Sequence, residues 1–366
     1  MDDEKYVWTR TIEESYELFD IIQGRKDIED LRQKCIFRGI SKDSYKLESP
    51  SLREDEKYLN NFIGNSEMSL IPVEKEIIDS NSIPKKMYEK YKNNYYLRVD
   101  KNYNTPQEIN FDSSNLNIIQ IKKEIKVLLK FINYADKSGL KININQELRE
   151  LLNNPNHYKL EDYWPKEDFY EVISLAQHYG TPTRFLDWSY DYNVSIYFAV
   201  KDILNHKNPK YNESNGILWA FNYKLFDTPF HRNNPYEKFK LKFYRPEYYS
   251  NKYLNAQKGL FTIILNDLIT KDTRPFNEII IDDFKKNNEN THEDRPLKRS
   301  HGLTDSNIPE GEKIFYKFII PPELKPEILK ELYLNNYSEE FLLPSYLSVS
   351  NTIKNKVILE ELINDK

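Results

Sequence analysis

Between Pro165 and Asn222 the apolar pattern switches from helical spacing to short extended runs and back, without a regular βαβ rhythm. "PKEDFYEVISLAQHYG" reads as a helix with Pro165 in its first turn, acids after it and Gly180 as its stop. "TRFLDWS" follows as an extended segment. "YNVSIYFAVKDIL" (Tyr192 to Leu204) is a helix with Val194, Ile196, Tyr197 and Val200 inward, and "NGILWAFN" is a strand. The same short runs recur at "CIFRGI" (Cys35 to Ile40), "AQKGLFTIIL" (Ala256 to Leu265) and "KIFYKFIIPP" (Lys313 to Pro322), and Asn277 to Phe284 reads as one more strand. Helical spacing returns at Thr11 to Ile22, capped by Thr11, at Asn117 to Tyr134, and at Glu323 to Asn336. This alternation predicts an α+β fold: a mixed sheet of short strands with helices packed on it and an inserted helical region.

A chain of 366 residues with 39% hydrophobic side chains can bury a large core, and 28 Tyr and 19 Phe make that core aromatic. The expected organisation is one elaborated domain over residues 1–366. It carries a helical and loop insertion at about 57–160 and a polar surface loop at about 285–311. The net charge of −5 argues against a dedicated duplex binder but leaves open a site for a nucleotide, one nucleic-acid strand or a protein acceptor. Cys35 is the only cysteine, so no intramolecular disulfide forms, which fits a reducing cytoplasm. "MDDEKYVWTR" lacks the apolar core of a signal peptide, and no run approaches the roughly 20 apolar residues of a membrane span.

Phosphate-loop, dinucleotide-fingerprint and nucleophile-elbow motifs are absent, as are paired cysteines and the zincin helix, so no metal is expected. Arg38 stands inside an apolar strand between Phe37 and Gly39. Such a charge either faces solvent or is held by an anion, and Gly39 permits close approach of backbone or ligand. His178 and Tyr179 close a helix and form either a pocket wall or a structural helix end. Thr183 and Arg184 belong to a donor-rich turn. Asp187, beside Trp188, needs partners if buried, and Arg184 and Arg38 are the natural candidates.

"FRG" at Phe37 to Gly39 is followed by Tyr45, Leu47 and "PSLR" (Pro50 to Arg53), then by "AQHYGTPTRFLDWS" (Ala176 to Ser189), "YFA" (Tyr197 to Ala199) and "AQKGLFT" (Ala256 to Thr262). In these blocks the chain resembles the FRG domain family. The resemblance implies a bacterial or phage-related cytoplasmic protein, without by itself implying a reaction. The order of the blocks is also similar to that of ADP-ribosyltransferases, an analogy of layout. It implies NAD as substrate, a macromolecular acceptor, and a role as a toxin or anti-phage defence effector. By this resemblance Arg38, His178 and Gln257 are the candidate catalytic residues. Gly39, Arg53, Tyr179, Thr183, Arg184, Asp187, Trp188 and Ser189 are candidate binding residues. Gln257 stands where the pattern has an acid, and a glutamine neither bears charge nor acts as a base. Either it serves by hydrogen bonding, or a carboxylate comes from elsewhere, or the fold is no transferase. A non-catalytic module binding a nucleotide or nucleic-acid end is the alternative.

Overall fold

The computed structural model describes residues 4–53, 117–153, 164–204, 213–226, 241–247, 252–265, 272–289, 308 and 311–364. Most of the expected insertion and of the polar loop therefore lies outside the described residues. In chain order come β1 (Val7–Thr11), α1 (Glu17–Ile22), β2 (Ile36–Ile40), α2 (Asn117–Lys137), α3 (Gln146–Asn153), α4 (Tyr170–His178), β3 (Leu186–Ser189) and α5 (Tyr192–Val200). Then follow β4 (Gly216–Phe221), β5 (Leu241–Tyr244), α6 (Lys252–Ala256), β6 (Gly259–Ile264), α7 (Phe276–Glu289), β7 (Phe315–Ile320), α8 (Lys325–Leu334), α9 (Glu339–Leu342) and α10 (Tyr346–Asn364).

The strands form one seven-stranded sheet in the order β1-β7-β4-β2-β3-β6-β5. β1 and β7 are parallel, and the remaining pairs are antiparallel. The α+β class with a mixed sheet is as expected. Two local expectations fail. Asn277 to Phe284 is helical, within α7, because Ile280, Ile281 and Phe284 turn one apolar stripe to the sheet. Thr11 ends β1 instead of capping a helix, because the edge of β7 pairs with Val7–Thr11; α1 starts only at Glu17. Pro165 precedes a short 3-10 turn, Glu167–Phe169, that leads into α4.

Side-chain alternation divides the core. On one face, Phe37, Leu218, Ala220 and Phe318 pack with residues of α1, α5 and α8. Farther along the sheet, Phe185, Phe261 and Ile263 pack with α2, α3 and α4 in a second cluster. The register aligns Phe37 with Ser189 and Asp187 with Phe261, so both clusters share one face. On the opposite face, Ile36, Ile40, Trp188, Trp219 and Phe221 pack with Phe276, Ile280 and Phe284 of α7. β4 is buried throughout because both of its faces are covered.

Pairing is full on either side of the sheet centre and thin at it. β2 pairs with β4 over five residues and β3 with β6 over four, yet β2 and β3 align only at Phe37 and Ser189. Beyond that pair the sheet splays. The splay lies at the boundary between the α5 cluster and the α2–α4 cluster.

Candidate functional site

A cavity of about 300 Å³ occupies the splay. It is floored by Phe37, Gly39, Asp187, Ser189 and Phe261 from the sheet. One wall comes from Ser195, Phe198 and Lys201 at α5, and another from Leu254 and Gln257 at α6. The segment after β2 brings Tyr45, Lys46 and Arg53.

Arg38 explains how the splay is tolerated. Separated strands leave backbone groups without ladder partners. Arg38 Nη1 donates to the Asp187 carbonyl oxygen at 2.7 Å and sits 2.5 Å from the Asp187 carboxylate. Strand parity sets Arg38 with Ile36 and Ile40, and Asp187 with Ser189, so the pair is made across the gap between the faces. Only 12% of the Arg38 side chain is exposed, and its Nε is buried without a hydrogen-bond partner among the described residues. Arg38 is thus the anion-held arginine of the two alternatives, not a solvent-facing one.

Asp187 is held from the other side by Gln177 Nε2, which donates to Oδ1 at 3.1 Å. Gln177 is fastened in turn by donation from Nε2 to Phe185 O and by a hydrogen bond accepted from Thr183 Oγ1. The Asp187 side chain remains 56% exposed, on the cavity floor. Partial removal from bulk water pushes its carboxyl up, but Arg38, with a smaller contribution from Arg53, holds it below the usual carboxylate range. Asp187 is therefore ionised near neutral pH.

Arg184 does not reach Asp187. Its Nε donates to Glu124 Oε2 of α2 at 2.6 Å, with both side chains nearly fully buried. Glu124 also accepts from Trp164 Nε1 at 2.8 Å, Ser51 Oγ at 2.8 Å and Gln120 Nε2 at 3.0 Å. Ser51 N–H donates to Thr183 O at 3.0 Å. The Thr183–Arg184 turn thus stands behind the cavity and pins Ser51, two residues before Arg53.

Gly39 has a packing reason for being glycine. A Cβ there would lie 1.8 Å from the Ser195 carbonyl oxygen, so α5 can cross β2 only where no side chain intervenes. The close approach that Gly39 permits is by backbone. Trp188 turns its ring into the opposite face, against Phe221 and Phe276, and donates from Nε1 to Thr262 Oγ1 at 2.9 Å. It offers no stacking surface in the cavity. Ser189 Oγ donates to Gln257 O at 2.6 Å and accepts from Asp191 N. Gln257 lies in the turn before β6, not on the strand, and its Nε2 donates to Leu342 O at 3.1 Å.

Arg38, Gly39, Arg53, Asp187, Trp188, Ser189 and Gln257 all border the cavity. His178, Tyr179, Thr183 and Arg184 do not. His178 is half-buried, with Tyr179 edge-on at 5.2 Å; burial lowers its pKa although the Asp187 charge raises it. Tyr179 is 63% exposed.

Sequence reasoning missed Lys46, Phe198, Lys201, Gln177 and Glu124. Glu124 had a local signal: a carboxylate on the same helical stripe as Ile121 and Ile125 is buried and needs a cation. Lys201 had none. It follows an apolar helix, and its ammonium lies 4.8 Å from the Phe198 ring centroid, where burial lowers its pKa.

Among the described residues there is no metal-ligating group of three His, Cys, Asp or Glu, and no helix long and apolar enough to cross a membrane. No curated protein and no solved structure matches the chain. The family model that does match spans residues 129–208, from the second half of α2 through α4, β3 and α5, and leaves Phe37–Gly39 and Ala256–Thr262 outside it. Residues 129–208 thus match the model of the FRG domain.

Proposed function

We propose that the cavity in the splay between β2 and β3 is a nucleotide site, with NAD as the ligand. The observation that carries this reading is Arg38. A guanidinium is built into a sheet defect and borders a cavity, and its buried Nε has no hydrogen-bond partner among the described residues. Arginine suits phosphate because its planar fork matches the oxygen pair. Around it the cavity lining has three further cations, Lys46, Arg53 and Lys201, against the single carboxylate of Asp187. Tyr45 and Phe198 supply flat apolar surface. A volume of about 300 Å³ is at the small end of ligand sites, so one half of a dinucleotide fits and the other half lies along the opening.

The test is thermal stability with and without ligand. A ligand that binds only the folded state at a hundred times its Kd stabilises it by about 2.7 kcal/mol. NAD and ADP should each raise the melting temperature of the wild type, and Arg38→Ala should abolish the shift. No shift at millimolar concentration of either would overturn the reading.

A second reading is ADP-ribosyl transfer to a macromolecule. It is favoured by one observation: Gln257 and Asp187 border the same cavity as Arg38. In such a reaction the bond from ribose C1′ to the nicotinamide nitrogen breaks and neutral nicotinamide leaves with the electron pair. The acceptor nucleophile then bonds C1′ and gives up its proton. The chain would act by positioning and by charge stabilisation. Nicotinamide release from NAD together with label on protein or nucleic acid supports this reading, and binding without release leaves the module non-catalytic.

A further inference from the structure

The geometry points to Asp187 as the residue that selects a ribose-bearing ligand, by accepting hydrogen bonds from its vicinal hydroxyls. The inference rests on the nucleotide reading and goes beyond it by naming the part of the ligand that is read. An ionised carboxylate is acceptor-only, with about four lone-pair positions on its two oxygens. The described contacts use one on Oδ2, for Arg38, and one on Oδ1, for Gln177. Each oxygen thus keeps room for one more donor, and the side chain is 56% exposed on the cavity floor, where a ligand would meet it.

Everything else that is charged along the cavity is cationic: Arg38, Lys46, Arg53 and Lys201. A phosphate drawn to those groups is repelled by Asp187, so the part of the ligand facing Asp187 must donate hydrogen bonds. Two adjacent hydroxyls match two oxygens that each lack one donor. The carboxylate is also held rigidly. Arg38 pairs with it from the splay and Gln177 donates to it from α4, with Thr183 fixing Gln177. A held acceptor discriminates strongly, because an analogue without the hydroxyls covers its remaining lone-pair positions without supplying donors to them.

Four probes separate the possibilities by calorimetric titration of the full chain: ADP, 2′,3′-dideoxy-ADP, inosine diphosphate and pyrophosphate. ADP should bind about tenfold or more tightly than the dideoxy analogue, the loss expected when a charged acceptor loses its donors. Inosine diphosphate should bind as ADP does. In Asp187→Asn the preference for ADP over the dideoxy analogue should collapse to about unity. Equal affinity of the wild type for ADP and its dideoxy analogue overturns the inference while leaving a nucleotide site, as does a preference that survives in Asp187→Asn. A loss with inosine diphosphate as large as that with the dideoxy analogue assigns the contact to the base amine and overturns it too. Absence of binding by both ADP and pyrophosphate overturns the nucleotide reading itself. Should Asp187→Asn fail to fold, the comparison of ADP with its dideoxy analogue on the wild type still decides.

Discussion

Arg38 joins the two halves of the sheet where the ladder does not. Its loss removes a hydrogen bond from the Asp187 carbonyl and leaves a carboxylate without its cation. Arg38→Ala should therefore cost about 1–3 kcal/mol in urea unfolding, in addition to abolishing the ligand shift. Arg38→Lys keeps the charge but not the fork, so ligand binding should remain weak. Gly39 makes a different demand. A methyl group 1.8 Å from the Ser195 carbonyl forces α5 off β2, and Gly39→Ala should cost at least about 3 kcal/mol by the same measurement. A variant of wild-type stability would show that α5 shifts freely, and would remove the packing account of this glycine.

At the scale of elements, the cavity has a support it does not touch. Glu124 on α2 collects Arg184, Trp164, Ser51 and Gln120, and so ties α2, the turn before β3 and the chain just ahead of Arg53 into one network. Glu124→Gln removes the carboxylate that a nearly fully buried arginine pairs with, and breaking such a buried pair typically costs about 3–5 kcal/mol. Replacing both partners, as in Glu124→Leu with Arg184→Met, should cost markedly less, because no charge is then left unpaired. Urea midpoints of the two single variants and the double variant test this, and additive losses would count against a coupled pair. α5 is anchored comparably at its start: Asp191 accepts from Asn193 N as N-cap and from Lys258 Nζ and Tyr337 Oη with its other oxygen. Tyr337, just after α8, thereby ties the C-terminal helices to the wall of the cavity.

For the whole molecule, part of the pH dependence of stability follows from Glu17, Asp187 and His178, whose pKa values folding lowers. Burial pushes Glu17 up, but the Glu13 N–H, Arg10 and Lys26 outweigh it and bring it from 4.5 to about 2. Asp187 is lowered as well. A lowered carboxyl contributes stability that is full above its unfolded pKa and is lost as pH falls toward its folded one. Stability should thus fall between about pH 4.5 and 2, and Glu17→Gln should flatten that slope. His178, lowered by burial from 6.5, adds an earlier step. As pH drops below 6.5 the unfolded chain takes up its proton first, so stability declines from there, and His178→Gln should remove that part. Urea midpoints read across pH check both, and an unchanged profile in either variant would contradict the assignment.

What the residues by themselves determined is local. The stop at Gly180, which adopts φ +87, was readable, as were β2, β3, β4, β6, β7, α4, α5 and α8, because period and breakers are written within a few adjacent positions. The arginine inside an apolar strand and the aspartate beside Trp188 were readable as a pair in need of explanation. Tertiary structure decided the remainder. α7 is a helix because its apolar stripe covers the face opposite the cavity, where a run of isoleucines alone also suits a strand. β1 and β5 are strands because the sheet has edges to extend. Arg38 rather than Arg184 holds Asp187 because the ladder between β2 and β3 parts after one aligned pair, while α2 brings Glu124 to Arg184. Lys201 borders the same cavity as Arg38 because α5 crosses β2 at a residue without a side chain, and Lys46 because the segment after β2 lies along the cavity. Such contacts are set by distances in space between segments far apart in the chain, and no local spacing encodes them.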